Sequence, residues 1–229
     1  FCSHGNTDLI IAIIKLMEDR LNAESDITDG GVQAILLVED SVRFYSTYLP
    51  ELYKIILVQN SEFLKDAYNE QQQISRKRAR PKVLLATNYE DAIDIYNRYK
   101  TNLLGVISDV GLLLKQGDRS EDEKIDAGIE ICKMIKAETP WMPIILQSSQ
   151  DNLASKADAL GVRFISKSSK TLLSELQDVV LREFGFGEFV FRDLETGAVV
   201  GRARDLMQMQ ELIATVPDDV LENHLSQMH

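Results

Sequence analysis

From Val32 onward, short runs of near-continuous apolar residues alternate with stretches in which apolar positions recur every three or four residues. The runs are AILLV (34–38), KVLLAT (82–87), LLGVIS (103–108), IILQ (144–147) and VRFIS (162–166). Runs this short, with no polar residue at alternate positions, fit strands buried on both faces. Helical periodicity covers 42–76, 89–100, 127–138 and 151–160, and another helix is expected at 170–184. Strands separated by helices predict an α/β fold, a doubly wound five-stranded parallel sheet covered on both faces.

Both ends of the chain depart from that rhythm. Near the start, Ile10, Ile13, Ile14, Met17 and Leu21 form a helical stripe, while Leu9, Ile11 and Leu16 leave the other side apolar too. Such a helix needs neighbours on two faces, either as a core helix of this domain or as the last helix of a preceding one. The polar, acidic stretch 22–31 closes on two glycines and predicts a linker, so residues 1–31 are expected to be an N-terminal helix and linker and 32–184 the main domain. Residues 185–229 predict a small appendage: FVFR and AVVG flank DLETG as a β-hairpin, and two short helices are separated by Pro217. The hairpin needs something to lean on. Within the main domain, Pro50 predicts a kinked or two-part helix, and 112–128 is a long loop whose acidic middle is either a gate or a solvated excursion.

In a doubly wound sheet, ligands gather beyond the carboxyl ends of the strands. The residues there are Glu39 and Asp40 after the first strand, Asp109 after the third, Ser148 after the fourth and Lys167 after the fifth. Two adjacent carboxylates at the end of a buried strand repel each other and lose hydration, unless something positive offsets them. Three carboxylates offer the hard oxygen that suits Mg²⁺, whose charge would offset that repulsion. Asp109 is then a candidate nucleophile able to form an acyl phosphate, with Lys167 and the Ser148 hydroxyl as cation and donor for phosphoryl oxygens.

Charge and composition narrow the partners. A net charge of -11 argues against a broad nucleic-acid surface. The one basic cluster, RKRARPK (76–82), is either a phosphate or partner contact or a solvated helix end stopped by Pro81. No apolar run is long enough to cross a bilayer, and a cytoplasmic setting is expected, with Cys2 and Cys132 as reduced thiols and Cys132 buried. His4, His224 and His229 match no metal-ligand spacing, and GFG (185–187) lacks the lysine of a phosphate loop.

LLVEDS, GVISDV, PIILQSS and GVRFISK together make the segment from about Val32 to Phe184 resemble the receiver domain of two-component response regulators, a flavodoxin-like fold. The resemblance implies that Asp109 accepts a phosphoryl group from a histidine kinase or phosphotransfer protein. It also implies that Glu39, Asp40, Asp109 and the Gly111 carbonyl hold Mg²⁺, and that Ser148 and Phe164 move together as a switch. Ser168 stands where receivers usually have proline after the lysine, which puts the geometry beyond the fifth strand in question. The chain as a whole also resembles an internal segment of large bacterial proteins in which receiver-like domains precede a phosphoenolpyruvate synthase-type (PEP/pyruvate-binding) enzyme, on IIKLMEDRLNAE, LLVEDSVRFYSTYLP, GVISDV and GFGEFVFR. That context implies a covalently attached output domain, with a homodimer as one candidate assembly.

Three functions are weighed: a phosphoacceptor module, a phosphorylation-silent pseudo-receiver acting as an interaction scaffold, and an aspartate-nucleophile phosphatase. The last wants a second acid two residues after the nucleophile, where DVG offers Gly111. The expectation is therefore a regulatory domain rather than an enzyme. Either the helix at 9–21 or the hairpin at 188–201 is expected near the fourth helix or fifth strand, where it would sense the switch.

Overall fold

A computed structural model describes residues 7–65, 79–118, 123–186, 189–193, 196–203 and 206–226. Helix α1 (Thr7–Ala23) is followed by a π-helical turn over Glu24–Asp29, then by β1 (Ala34–Val38), α2 (Val42–Lys65), β2 (Lys82–Ala86), α3 (Tyr89–Tyr99) and β3 (Leu103–Asp109). A two-residue ladder of β4 (Leu112–Leu113) and β5 (Glu123–Lys124) precedes α4 (Ala127–Glu138), β6 (Ile144–Ser148), α5 (Ala154–Ala159), β7 (Arg163–Ser166) and α6 (Leu172–Glu183). Then come β8 (Phe189–Arg192), β9 (Val199–Ala203), α7 (Leu206–Ile213) and α8 (Asp218–Ser226). Expectations for Cys2, His4, residues 66–78, the loop middle at 119–122, Gly187 and His229 lie outside the described residues, as does the side chain of His224.

The chain divides into two compact units, Phe1–Val179 and Val180–His229. In the first, the five apolar runs pair in parallel in the order β2-β1-β3-β6-β7, the doubly wound arrangement expected. Winding reverses between β1 and β3, so the crevice beyond their carboxyl ends is the natural ligand position. Every residue of β1 is buried. Leu36 and Val38 join one core with Val106, Ile144 and Leu146, under Ala92 and Tyr96 of α3, Ile131 and Ile135 of α4 and Ala157 of α5. Period-two alternation sends Ile35 and Leu37 to the opposite face. Each aliphatic side chain so buried stabilises the fold by about 1.5–3 kcal/mol before chain entropy is counted.

Helix α2 is one continuous helix through Pro50, not two parts. Proline removes one backbone donor, and the burial of Tyr48, Leu49, Leu52 and Tyr53 on either side of it outweighs that loss. The stretch expected to be a linker is also folded. Residues 24–29 wind into the π-turn, Ile27 is buried, and Gly31 closes the turn at φ 66 with its N–H donating to the Ile27 carbonyl at 3.0 Å. Local acidity suggested solvent, but Asp26 pairs at 2.7 Å with Lys82, itself buried.

That pairing also corrects the reading of the basic cluster at its described end, residues 79–82. Arg80 is 3 % exposed, and its guanidinium grips Asp19 of α1 at 2.6 and 3.2 Å. The Asp19 carboxylate, fully buried, accepts further bonds from the Tyr53 hydroxyl at 2.7 Å and the Val83 N–H at 2.9 Å. Arg80 and Lys82 are thus neither a phosphate site nor a solvated helix end; they fasten α1 and the π-turn to the start of β2. Helix α1 packs on α2 and β2, at the edge of the sheet opposite β7, so of the two elements weighed for a place near the fourth helix or fifth strand, α1 lies elsewhere. It buries the side bearing Leu9, Ala12, Asp19 and Ala23, and leaves the longer apolar stripe in solvent.

In the second unit β8 and β9 pair antiparallel, and the hairpin leans on its own helices. Phe191 is buried with Val216 and Val220, with Met209, Leu212 and Leu221 packed around them.

Candidate functional site

β1 and β3 deliver their terminal carboxylates to one place because they are neighbours in register, Val38 opposite Ser108. Glu39, Asp40 and Asp109 each present an oxygen, and these three oxygens lie within 4.8 Å of one another. Glu39 is fully buried, held by a bond from its own N–H to the Ala86 carbonyl at 3.0 Å and by the Ser41 N–H donating to Oε1 at 3.1 Å. Asp40 is half-buried and accepts the Leu113 N–H at 3.2 Å, which ties the β4–β5 ladder to the site. Asp109 Oδ1 accepts the N–H of Val110 at 2.7 Å.

The strand-end lysine completes the group. Lys167 N–H donates to the Ser148 carbonyl at 2.8 Å, which fixes where β7 ends relative to β6. From there Lys167 Nζ lies 2.5 Å from Asp109 Oδ2 and 2.6 Å from Glu39 Oε2, with its side chain 3 % exposed. The first contact is a hydrogen bond; Glu39 Oε2 meets the ammonium at ion-pair distance but has no hydrogen bond of good geometry. The ring of Phe44, one turn into α2, lies 4.2 Å from Nζ and supplies a cation–π contact. Beyond the lysine, Ser166 and Ser168 share a hydroxyl bond at 2.7 Å, and Ser168 N–H donates to Ser166 Oγ at 3.3 Å.

Burial sets the charge balance. It pushes the Glu39 carboxyl up to about 7, with the Asp109 charge adding to the rise and Lys167 opposing it. Asp109 is raised for the same first reason, burial, again against Lys167. Tyr48 is fully buried with no hydrogen-bond partner for its hydroxyl, and its ionisation is suppressed first by burial and then by the charges of Glu39 and Asp109. One cation therefore serves a pocket in which two carboxylates carry a burial cost. Three hard carboxylate oxygens, one each from Glu39, Asp40 and Asp109, fit a divalent cation such as Mg²⁺.

Ser148 is the last residue of β6 and is nearly buried; its Oγ accepts the Gln150 N–H at 3.1 Å. Phe164 lies opposite Leu146 in the ladder, half-buried against the core under α4 and α5. Gly111 sits two residues beyond Asp109 at the entry to β4. Of the expected residues, Glu39, Asp40, Asp109 and Lys167 thus meet directly.

Sequence patterns alone missed three features of this arrangement. Phe44 and Tyr48, spaced i and i+4 on α2 with their rings stacked 6.1 Å apart, put one ring against Lys167 and the other within reach of the Glu39 and Asp109 charges, and that spacing was the available signal. Gly128, in the first turn of α4, donates its N–H to the Val110 carbonyl at 2.8 Å. A Cβ at that glycine would stand 1.9 Å from the Asp109 carbonyl oxygen, so only glycine lets α4 close on the Asp109 backbone. Gln147, opposite Asp109 in the ladder, is buried with both amide heteroatoms unpartnered.

No family model matches the sequence, and no curated protein sequence matches it. Among solved structures, the chain is similar to a response regulator receiver domain protein from Clostridium thermocellum, at 18 % identity over 67 % of this chain and 95 % of that one, with a TM-score of 0.41. It is also similar to the non-phosphorylated HemR receiver domain from Leptospira biflexa (18 % identity, 66 % and 94 % of the chains, TM-score 0.38). A third is the phosphorylated cyanobacterial phytochrome response regulator RcpA (15 % identity, 74 % and 99 %, TM-score 0.39). The α/β, doubly wound fold itself follows from strand order and register. Among the described residues no helix is long and apolar enough to cross a membrane.

Proposed function

We propose that this chain is a phosphoacceptor receiver module in which Asp109 takes a phosphoryl group from a phosphohistidine on a histidine kinase or phosphotransfer protein. The observation that carries it is the meeting of Asp109 with Glu39, Asp40 and Lys167 at the switch point of a doubly wound sheet. A carboxylate oxygen of Asp109 attacks phosphorus in line, the P–O bond forms as the P–N bond breaks, and the imidazole leaves with that electron pair. Mg²⁺, held by Glu39, Asp40, Asp109 and the Gly111 carbonyl, would supply positive charge for the phosphoryl oxygens. Lys167, released from Asp109, pairs with one of those oxygens. The Ser148 hydroxyl, whose oxygen already accepts from Gln150, has its proton to donate to another. Drawing Ser148 over opens space beside Phe164, which turns inward and alters the surface around α5 and β7. The output is then an attached or partner domain, and a phosphoenolpyruvate synthase-like enzyme is the attached domain that the sequence resemblance favours.

One observation favours a second reading. Lys167 already contacts both Glu39 and Asp109, as a protein cation would in a silent interaction module that never loads a metal. Calorimetric titration with Mg²⁺, followed by incubation with acetyl phosphate or phosphoramidate, separates the two. Saturable Mg²⁺ binding and one acid-stable, hydroxylamine-labile phosphoryl group support the phosphoacceptor; neither, in folded protein, supports the silent module.

A further inference from the structure

Helix α1 carries two apolar seams. The one formed by Leu9, Ala12 and Ala23 is buried in the domain. On the opposite side Ile10, Ile14, Met17 and Leu21 are 53, 58, 50 and 78 % exposed, and Ile11 and Ile13, each 46 % exposed, flank them. A helix that needed only to cover its own domain would put charge there. Instead the exposed seam has the 4-3-4 spacing of a coiled-coil a/d stripe over two heptads.

We infer that this seam is a homodimer contact, in which α1 of one chain packs antiparallel on α1 of a second copy. Two features point to a second copy. An isologous contact needs a patch that is complementary to itself. The seam meets that need: reversed on itself it sets Ile10 against the partner's Leu21, and Ile14 against the partner's Met17, so every layer is apolar against apolar. The flanking charges agree, because the reversed alignment places Arg20 and Glu18 beside aliphatic flanks and brings no like charges together. Area is the second feature. From their fractional exposures the six side chains present roughly 600 Å² per copy, at the upper end of patches left on monomers, and two copies approach the roughly 1,200 Å² at which specific interfaces begin. The dimer is therefore weak, in exchange at micromolar concentrations, and it leaves the acidic site open, since α1 packs at the β2 edge and on α2.

Sedimentation velocity on the full chain across a concentration series tests this, comparing the wild type with Ile14→Glu and Met17→Glu. Both positions are at least half exposed, so neither variant disturbs the domain core, and circular dichroism verifies that each is folded. The expected result is a concentration-dependent dimer for the wild type, weakened at least tenfold by either substitution. Disulfide trapping, in a Cys2→Ser background, fixes the direction: Ile14→Cys chains mixed with Met17→Cys chains should cross-link to each other in preference to either alone. A wild type that stays monomeric, a dimer untouched by Ile14→Glu, or Met17→Cys chains that cross-link chiefly to themselves overturns the proposal. A monomer whose α1 amides are protected from exchange until Ile14→Glu is introduced overturns it too, in favour of a cover within the same chain.

Discussion

Neutralising Glu39 should make the metal-free protein more stable at neutral pH. The carboxyl is fully buried and faces Asp109, Asp40, Lys167 and the Tyr48 hydroxyl, and its ionisation is pushed from the ordinary 4.5 up to about 7. Between those values the native state holds a proton that the unfolded chain has released, so stability falls as pH rises from about 4.5 to about 7. A raised carboxyl thus costs stability above its folded value and nothing below its unfolded one. A displacement of that size corresponds to about 3 kcal/mol at most. Glu39→Gln also weakens the contact with Lys167, so the net gain should be about 1–3 kcal/mol at pH 8 in chelator, shrinking to nothing near pH 4. Urea unfolding of both proteins at several pH values measures the gap directly. Mg²⁺ should narrow it by stabilising the wild type selectively. A variant that is equally or less stable at pH 8, or a gap that does not change with pH, would refute the account of burial and charge at this site.

Other substitutions probe the supports. Gly128→Ala forces the Asp109 carbonyl away from α4 and should cost about 1–3 kcal/mol in unfolding experiments while also slowing phosphoryl uptake; a silent substitution would remove the glycine from the account. Asp19→Ala removes the buried, two-pronged partner of Arg80 and leaves it the longer contact to half-exposed Glu18, and should cost about 3–5 kcal/mol, whereas Glu18→Ala should cost under about 1 kcal/mol. Burial pushes the Cys132 thiol up to about 12, so peptide-level mass spectrometry should find it unmodified by iodoacetamide at pH 8 until the protein is unfolded.

The parts of this protein that could be read from the sequence are those in which the local pattern and the tertiary position agree. Each of the five apolar runs is a strand, most plainly β1 and β6, where continuous burial leaves no polar position to blur the period, while β7 at the sheet edge exposes Arg163; β1 and α4 begin and end where the pattern does. The carboxylates stood out because Glu39 and Asp40 interrupt an apolar run without a turn residue. What could not be read depends on partners distant in sequence. Arg80 and Lys82 look like surface charge until Asp19 and Asp26 are brought beside them. Asp19 did leave a trace, as an acid in line with Leu9, Ala12 and Ala23 on the buried side of α1. Residues 24–29 look like a linker because five of the six are polar, and only the burial of Ile27 explains why they are folded. The orientation of α1 was open for a plainer reason: both of its faces are apolar, so periodicity could not say which one the domain would take.

The central claim is that Asp109 is the residue that accepts the phosphoryl group. Borohydride reduction of an acyl phosphate converts its aspartate to homoserine, and peptide mass spectrometry then locates it. After incubation with phosphoramidate and Mg²⁺, homoserine is expected at position 109, absent when Mg²⁺ is chelated and absent in Asp109→Asn. Homoserine at Asp40, or none at all in protein that binds Mg²⁺ saturably, would contradict the account.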